Sequence, residues 1–151
     1  FTRDGIGSLI NDSEGVLFLE MAALTNDLSF RTIALSDGTT NDAVKLYYTS
    51  TPNSVTMQVR RGGSLEVLST FAVSNITDFN KIAVKWKVND FAMWIGGVEV
   101  ATDTSGSVPI GMNRLAFDEG NGTSNKFFGK VKQLQVFKTA LSDSELATLT
   151  T

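Results

Sequence analysis

The stretch Phe127–Leu149, FFGKVKQLQVFKTALSDSELATL, decides the fold of this chain. Val131, Leu134 and Val136 are the apolar positions of a strand that Phe137 closes. Side chains of a strand alternate between two faces, so a regular strand spaces its apolar positions by two. Val131 and Leu134 break that spacing, which predicts a β-bulge at Lys132 and Gln133. After Ala140-Leu141 comes Ser142-Asp143-Ser144-Glu145, the spacing of a capping box. The Ser142 hydroxyl can accept the Glu145 amide while the Glu145 side chain reaches back to Ser142. Leu141, Leu146 and Leu149 then give the helix one apolar stripe. A long strand followed by one short capped helix reads as the closing piece of a β-sandwich. The strand is expected beside Val16–Leu24, with the helix lying against the sandwich.

Working outward, the rest of the chain supplies short strands and turns. Val16–Leu24 is apolar on both parities apart from Glu20, as in a central strand covered on both faces; a short buried helix is the alternative. Phe30–Leu35 is the next strand, with Ile33 and Leu35 inward. Val44, Leu46 and Tyr48 share one face, with Lys45 and Tyr47 opposite; Val55, Met57 and Val59 share one, with Thr56, Gln58 and Arg60 opposite. Arg61-Gly62-Gly63 joins a hairpin, and the following strand runs from Leu65 and Val67 towards Phe71. Phe79 is placed in the core. Ile82, Val84, Trp86 and Val88 alternate with Ala83, Lys85 and Lys87. Phe91, Met93 and Ile95 alternate with Ala92 and Trp94, and Gly96-Gly97 turns the chain into Val98 and Val100. Leu115 and Phe117 form a short strand, and Asp118–Asn125 is a Gly/Asn-rich loop. Roughly ten or more evenly spaced short strands with turn signals between them indicate an all-β antiparallel sandwich or jelly roll.

The chain has 151 residues, which fits a single domain over 1–151. It has no cysteine and no histidine, which removes disulfides, thiolate nucleophiles, the Ser-His-Asp triad and the His and Cys zinc sites. A net charge of -3 with scattered Lys and Arg argues against nucleic acid. No apolar run is long enough to cross a bilayer, so no membrane insertion is expected. The chain opens on Phe1, which reads as a module of a larger multidomain protein or a processed form.

Two segments resemble a known superfamily. Lys81-Ile-Ala-Val-Lys-Trp86 followed by Asp90-Phe-Ala-Met-Trp-Ile-Gly-Gly-Val-Glu-Val100 is similar to the "tW...dg..lyiNG..v" hairpin of concanavalin A-like lectin/glucanase jelly rolls of the laminin-G-like type. The closing Phe127-Phe-Gly-Lys-Val…Ala140-Leu-Ser-Asp-Ser-Glu-Leu146 resembles that superfamily's "F.G.i..v.vy..aLsd.El..L" ending. Gly96 stands where Asn is usual, at a turn that glycine tolerates. The resemblance implies a non-catalytic recognition module, often for carbohydrate and often with calcium. Such modules occur on phage tail and virion proteins, bacterial surface proteins and secreted polysaccharide-degrading enzymes, so an extracellular or virion-associated location is expected.

Parity separates the two tryptophans. Trp86 shares the inward face of its strand, whereas Trp94 lies opposite Met93 and Ile95 and is expected to face outward. Tyr47, Gln58, Arg60, Lys85 and Lys87 share its parity if their strands share one sheet. Together they would form aromatic platforms among long donors, the arrangement that stacks a sugar's C–H face and bonds its hydroxyls. Trp94, Tyr47, Arg60, Gln58 and Lys85 are therefore the candidate carbohydrate-binding residues; the alternative is that Lys and Arg stems simply cover Trp94. The oxygen-rich loops carrying Asp37, Asn41 and Asp42, and Asp118, Glu119 and Asn121, are candidate calcium ligands. The alternative is turn-forming Asx residues.

No strand-borne carboxylate cluster of the E-x-D-x-x-E kind seen in glucanases of this superfamily is present, so no catalytic residue is assigned and no enzyme is expected. Asn11, Asn75 and Asn121 begin short sequon matches that are frequent by chance. The expected function is glycan binding within a phage or bacterial extracellular protein; the alternative is an assembly domain of a virion fibre or surface protein. A glycan binder would leave Trp94 and Tyr47 on an open groove, and an assembly domain would bury them or another apolar patch at a symmetric contact.

Overall fold

The computed structural model describes every residue, Phe1–Thr151. Eleven strands follow in chain order: β1 (Thr2–Arg3), β2 (Glu14–Ala23), β3 (Arg31–Ser36), β4 (Ala43–Tyr48), β5 (Ser54–Arg61), β6 (Ser64–Ala72), β7 (Asn80–Lys87), β8 (Phe91–Ile95), β9 (Val98–Asp103), β10 (Arg114–Ala116) and β11 (Gly129–Phe137). A single α-helix, α1 (Asp143–Thr150), ends the chain, and Gly7–Leu9 makes one 3-10 turn near its start. The strands form two antiparallel sheets, six-stranded in the order β1-β10-β3-β4-β5-β6 and five-stranded in the order β11-β2-β7-β8-β9.

The closing strand pairs with β2 from Gly129↔Ala23 to Phe137↔Val16, and its register shifts between Val131 and Gln133, so Lys132 is the bulged residue. Val131, Leu134 and Val136 thereby all pack on the core. The capping box also forms: the Ser142 side chain accepts from the Glu145 amide, and the Glu145 carboxylate accepts from the Ser142 amide at 2.8 Å. Caps of this kind contribute about 0.5–2 kcal/mol. The short hydrogen-bonded ring of α1 could not hold a helix by propensity alone.

Strand β2 is apolar on both parities because it is buried on both sides. Its inward Leu17, Leu19 and Met21 belong to the core between the sheets, with Ile33, Leu46, Met57, Val84, Trp86 and Met93. Its outward Val16 and Phe18 belong to a second, smaller core with Ala83, Ala92, Trp94 and Leu146 of α1. Trp86 fits only because position 15 is glycine: a Cβ there would lie 2.3 Å from the indole. The indole nitrogen donates to the Asn11 carbonyl at 3.0 Å, so the largest core side chain is also satisfied.

Two placements differ from the sequence expectation. Phe79 is not in the core; it is 44% exposed, with the Lys132 ammonium 5.3 Å from its ring centroid. From the same loop it is Ile76 that is buried in the main core. Val88 does not share the core face of Trp86: β7 ends at Lys87, and Val88 is exposed in the turn.

Candidate functional site

The expected platform does not form as one face, because its members belong to different sheets. Lys85 and Trp94 lie on β7 and β8 of the five-stranded sheet; Tyr47, Gln58 and Arg60 lie on β4 and β5 of the six-stranded sheet. Their outward faces are on opposite sides of the sandwich. Trp94 does point away from the central core, as its parity requires, but α1 covers it and leaves it 8% exposed. Its indole nitrogen has no hydrogen-bond partner. Lys85 is also buried on this side and pairs with Asp90 at 2.6 Å. Neither residue offers a surface to a sugar.

The outer face of the six-stranded sheet is different. The register sets Lys45 opposite Gln58, Tyr47 opposite Thr56 and Ala43 opposite Arg60, and continues to Leu68 opposite Gln58 and Thr70 opposite Thr56. The Thr56 and Thr70 hydroxyls bond each other at 2.7 Å. Phe30 precedes β3 on the same parity as Thr32 and Ala34, and its ring lies 6.1 Å from that of Tyr47 at an interplanar angle of 32°. Phe30 is 43% exposed, so the pair forms an open aromatic edge beside a row of hydroxyl, amide and cationic groups. Phe30 escaped the sequence-based site, although its position two residues before Thr32 carried the same outward parity.

The loop Asp118–Asn125 closes one end of this face. Ser36 on β3 donates its hydroxyl to the Gly120 carbonyl at 2.8 Å. Gly120 has φ +96°, and a Cβ there would lie 2.7 Å from the Ser36 side chain, so only glycine permits this approach. The loop brings the Glu119 carboxylate towards Lys45 and Tyr47, where it acts on the titration of both. Burial raises the Tyr47 phenol, and Glu119 raises it further. Burial lowers the Lys45 ammonium; Glu119 opposes that shift and Arg60 reinforces it.

The candidate calcium ligands are engaged by amides and hydroxyls of their own loops or of neighbouring ones. Asp37 Oδ1 accepts from the Thr39 amide and hydroxyl, Asp118 Oδ1 from the Gly120 and Gly122 amides, and Asn121 Oδ1 from the Thr123 and Ser124 amides. Asp42 accepts from the Gly62 and Ile110 amides, and Glu119 from the Asn125 side chain. The Asn41 carbonyl accepts from Gly63. These are the bonds of Asx turns and loop anchors, and no three Asp or Glu side chains converge as a metal group.

Three concavities occur elsewhere: about 410 Å³ beside α1, about 550 Å³ at the open edge between β10 and β11, and about 300 Å³ at the opposite edge between β6 and β9. The second is lined mainly by apolar side chains, Ile6, Leu115, Leu134 and Val136 among them, with Arg3 and Lys138 also on its wall and no aromatic ring. A sugar chain laid along a sheet requires a face with aromatic and polar groups, which the outer face of the six-stranded sheet provides.

No protein-family model matches the chain, and no curated protein matches it. Solved structures do. The CBM40 of the Ruminococcus gnavus IT-sialidase, bound to α2,3-sialyllactose, superposes with a TM-score of 0.74 at 18% identity, covering 100% of this chain and 98% of that one. The NanB sialidase of Streptococcus pneumoniae gives 0.75 at 17% identity over 100% of this chain, which spans only 27% of that enzyme. Domain 4 of AbnA, a GH43 extracellular arabinanase from Geobacillus stearothermophilus in complex with arabinotriose, gives 0.74 at 16% identity over 98% of this chain and 70% of that one. The fold is thus a concanavalin A-like jelly roll, shared over the whole chain with carbohydrate-binding modules. No helix is long and apolar enough to cross a membrane.

Proposed function

We propose that the chain is a non-catalytic carbohydrate-binding module of a bacterial extracellular protein, and that its binding surface is the outer face of the six-stranded sheet. The open Phe30–Tyr47 pair beside Lys45, Gln58 and Arg60 carries this reading. An aromatic edge takes the C–H face of a pyranose, and the amide and cations bond its hydroxyls. Glycoside hydrolysis needs two opposed carboxylates, whereas Glu119 is the carboxylate that acts on Lys45 and Tyr47 here. The fold's occurrence within bacterial enzymes that act on sugars favours a bacterial setting over a virion, and a larger parent protein.

A glycan array probed with the native chain and with Tyr47→Ala tests the proposal. The native chain should retain at least one glycan class, and the variant should bind it about tenfold more weakly with an unchanged melt. Silence across the array would remove the reading. One observation favours an assembly role instead: β6 is an edge strand that exposes Leu65, Leu68 and Phe71, the kind of edge through which sheets associate. Light scattering decides this point, since an assembly domain would show a concentration-dependent mass that Leu68→Lys abolishes.

A further inference from the structure

The two buried lysines of this chain, Lys45 and Lys85, lie on opposite outer faces and have unlike surroundings. Lys85 is 7% exposed and holds the Asp90 carboxylate at 2.6 Å. Lys45 is 4% exposed and makes neither a hydrogen bond nor an ion pair with the protein. Its diagonal neighbour across the β4–β5 ladder is Arg60, since Ala43 pairs with Arg60 and Lys45 with Gln58. Arg60 is half-satisfied: one terminal nitrogen donates to the Gly63 carbonyl, while its buried Nε has no partner. Glu119 forms an ion pair with neither cation, and its Oε1 accepts from the Asn125 side chain at 2.6 Å. Two cations and one unpaired guanidinium N–H thus meet on the proposed binding face with a single carboxylate nearby.

We propose that this face selects an acidic glycan, with a carboxylate or sulfate of the sugar seated between Lys45 and Arg60 and the adjoining ring against Tyr47 and Phe30. The assignment rests on the glycan-binding reading above and specifies its substrate class. The Lys45 stem is covered, but its Nζ is not among the fully buried unpaired atoms, so the ammonium reaches the surface with no acceptor from the protein. An anion supplied by a ligand would accept from the Lys45 ammonium and from the terminal guanidinium nitrogen of Arg60 that is not bonded to Gly63, in charge-assisted bonds stronger than those to a neutral hydroxyl. The depression of the Lys45 ammonium by burial and by Arg60 agrees with an unfilled anion position. Arg114, also on this side of the sandwich, is already committed to Asp4 and adds no competing site.

Binding of the full chain to matched polymers tests this directly. Polygalacturonate is compared with its methyl ester, and dextran sulfate with dextran, so that each pair shares a backbone and only one member carries the anionic groups. The acidic member of at least one pair should bind about tenfold or more tightly than its neutral twin. Preference confined to polygalacturonate would identify a carboxylate, and preference confined to dextran sulfate a sulfate. Lys45→Met and Arg60→Gln should each remove most of that preference, and Lys45→Met should leave the melting temperature unchanged or higher because it keeps the covered stem and breaks no hydrogen bond or ion pair. The comparison of twins needs no variant, so a misfolded variant does not shield the proposal. Equal binding of acidic and neutral twins, or acidic preference that survives both substitutions, would overturn the acidic assignment while leaving glycan binding intact. No binding to any glycan would overturn both.

Discussion

On the outside of the five-stranded sheet, Val16, Phe18, Ala83, Ala92 and Trp94 lie beneath α1. On the outside of the six-stranded sheet, Thr32, Lys45, Thr56 and Gln58 lie beneath no helix; only the Asp118–Asn125 loop folds over one end, through Ser36 and Gly120. The same alternation produces both faces, yet one is an apolar second core and the other a closely packed polar face, in which Thr32, Lys45 and Thr56 are buried and Tyr47, Gln58 and Arg60 half-buried. The difference lies in what occupies the outward positions. Valine, phenylalanine and alanine facing away from the main core require a cover, and α1 supplies Leu146 to provide it. Threonine, lysine and glutamine need none. A tryptophan in the first company is packing; a tyrosine in the second is available for recognition.

Three experiments break or sharpen this contrast. Trp94→Ala should have the largest effect, a loss of about 3–5 kcal/mol in denaturant unfolding, as expected for emptying a buried aromatic site. The folded fraction should bind glycans as before. Lost binding with an unchanged melt would reverse the roles of the two faces.

Tyr48→Phe should have a smaller effect of the opposite sign. The Tyr48 hydroxyl is buried without a partner, so its removal should be neutral or stabilising by up to about 1 kcal/mol. Burial also raises the Tyr48 phenol far above its ordinary value of 10.0. Above that pH the unfolded chain binds fewer protons than the folded one, so stability falls as pH rises. Tyr47 adds to the fall, while Lys45, lowered from 10.5, opposes it as the unfolded lysine loses its charge. Unfolding free energies measured between neutral pH and about pH 11 should decline in the native chain and decline less in Tyr48→Phe; parallel curves would contradict the assignment.

Calcium should have the smallest effect. Melting in calcium and in chelator should give one midpoint, because one oxygen each of Asp37, Asp118 and Asn121 is taken by loop amides and no three carboxylates converge. A ligand specific to the folded state would raise that midpoint.

Much of the architecture is legible in the amino-acid sequence. The step between Val131 and Leu134 fixed the bulge, Ser142 and Glu145 fixed the helix start, and the apolar run of β2 fixed a strand buried on both sides. These are local or periodic signals. The proposed binding face was only half legible. Tyr47, Gln58 and Arg60 followed from parity, but their assignment to a sheet did not, because alternation along a strand carries no information about which strands are neighbours. The burial of Trp94 was within reach: Ala83 and Ala92 share its outward parity, and the apolar stripe of α1 needed somewhere to lie. Glu119 reaches the face through a loop whose path depends on contact between Gly120 and Ser36, residues far apart in sequence.

The bulge has a further consequence for how the closing strand tolerates change in length. Losing one residue from a paired strand normally turns every later side chain to the wrong face. Lys132 is different, since Val131 pairs with Met21 and Gln133 with Glu20 on either side of it. Deleting it would join two segments already in register and leave Val131, Leu134 and Val136 regularly spaced on the core. What would be lost is the ammonium 3.3 Å from the nearly buried Glu20 carboxylate. A chain lacking Lys132 should therefore fold and melt somewhat lower, whereas one lacking Gln135 should not fold, a contrast that circular dichroism reads directly. Position 132 is where this sandwich can shorten by one residue without changing its inside for its outside.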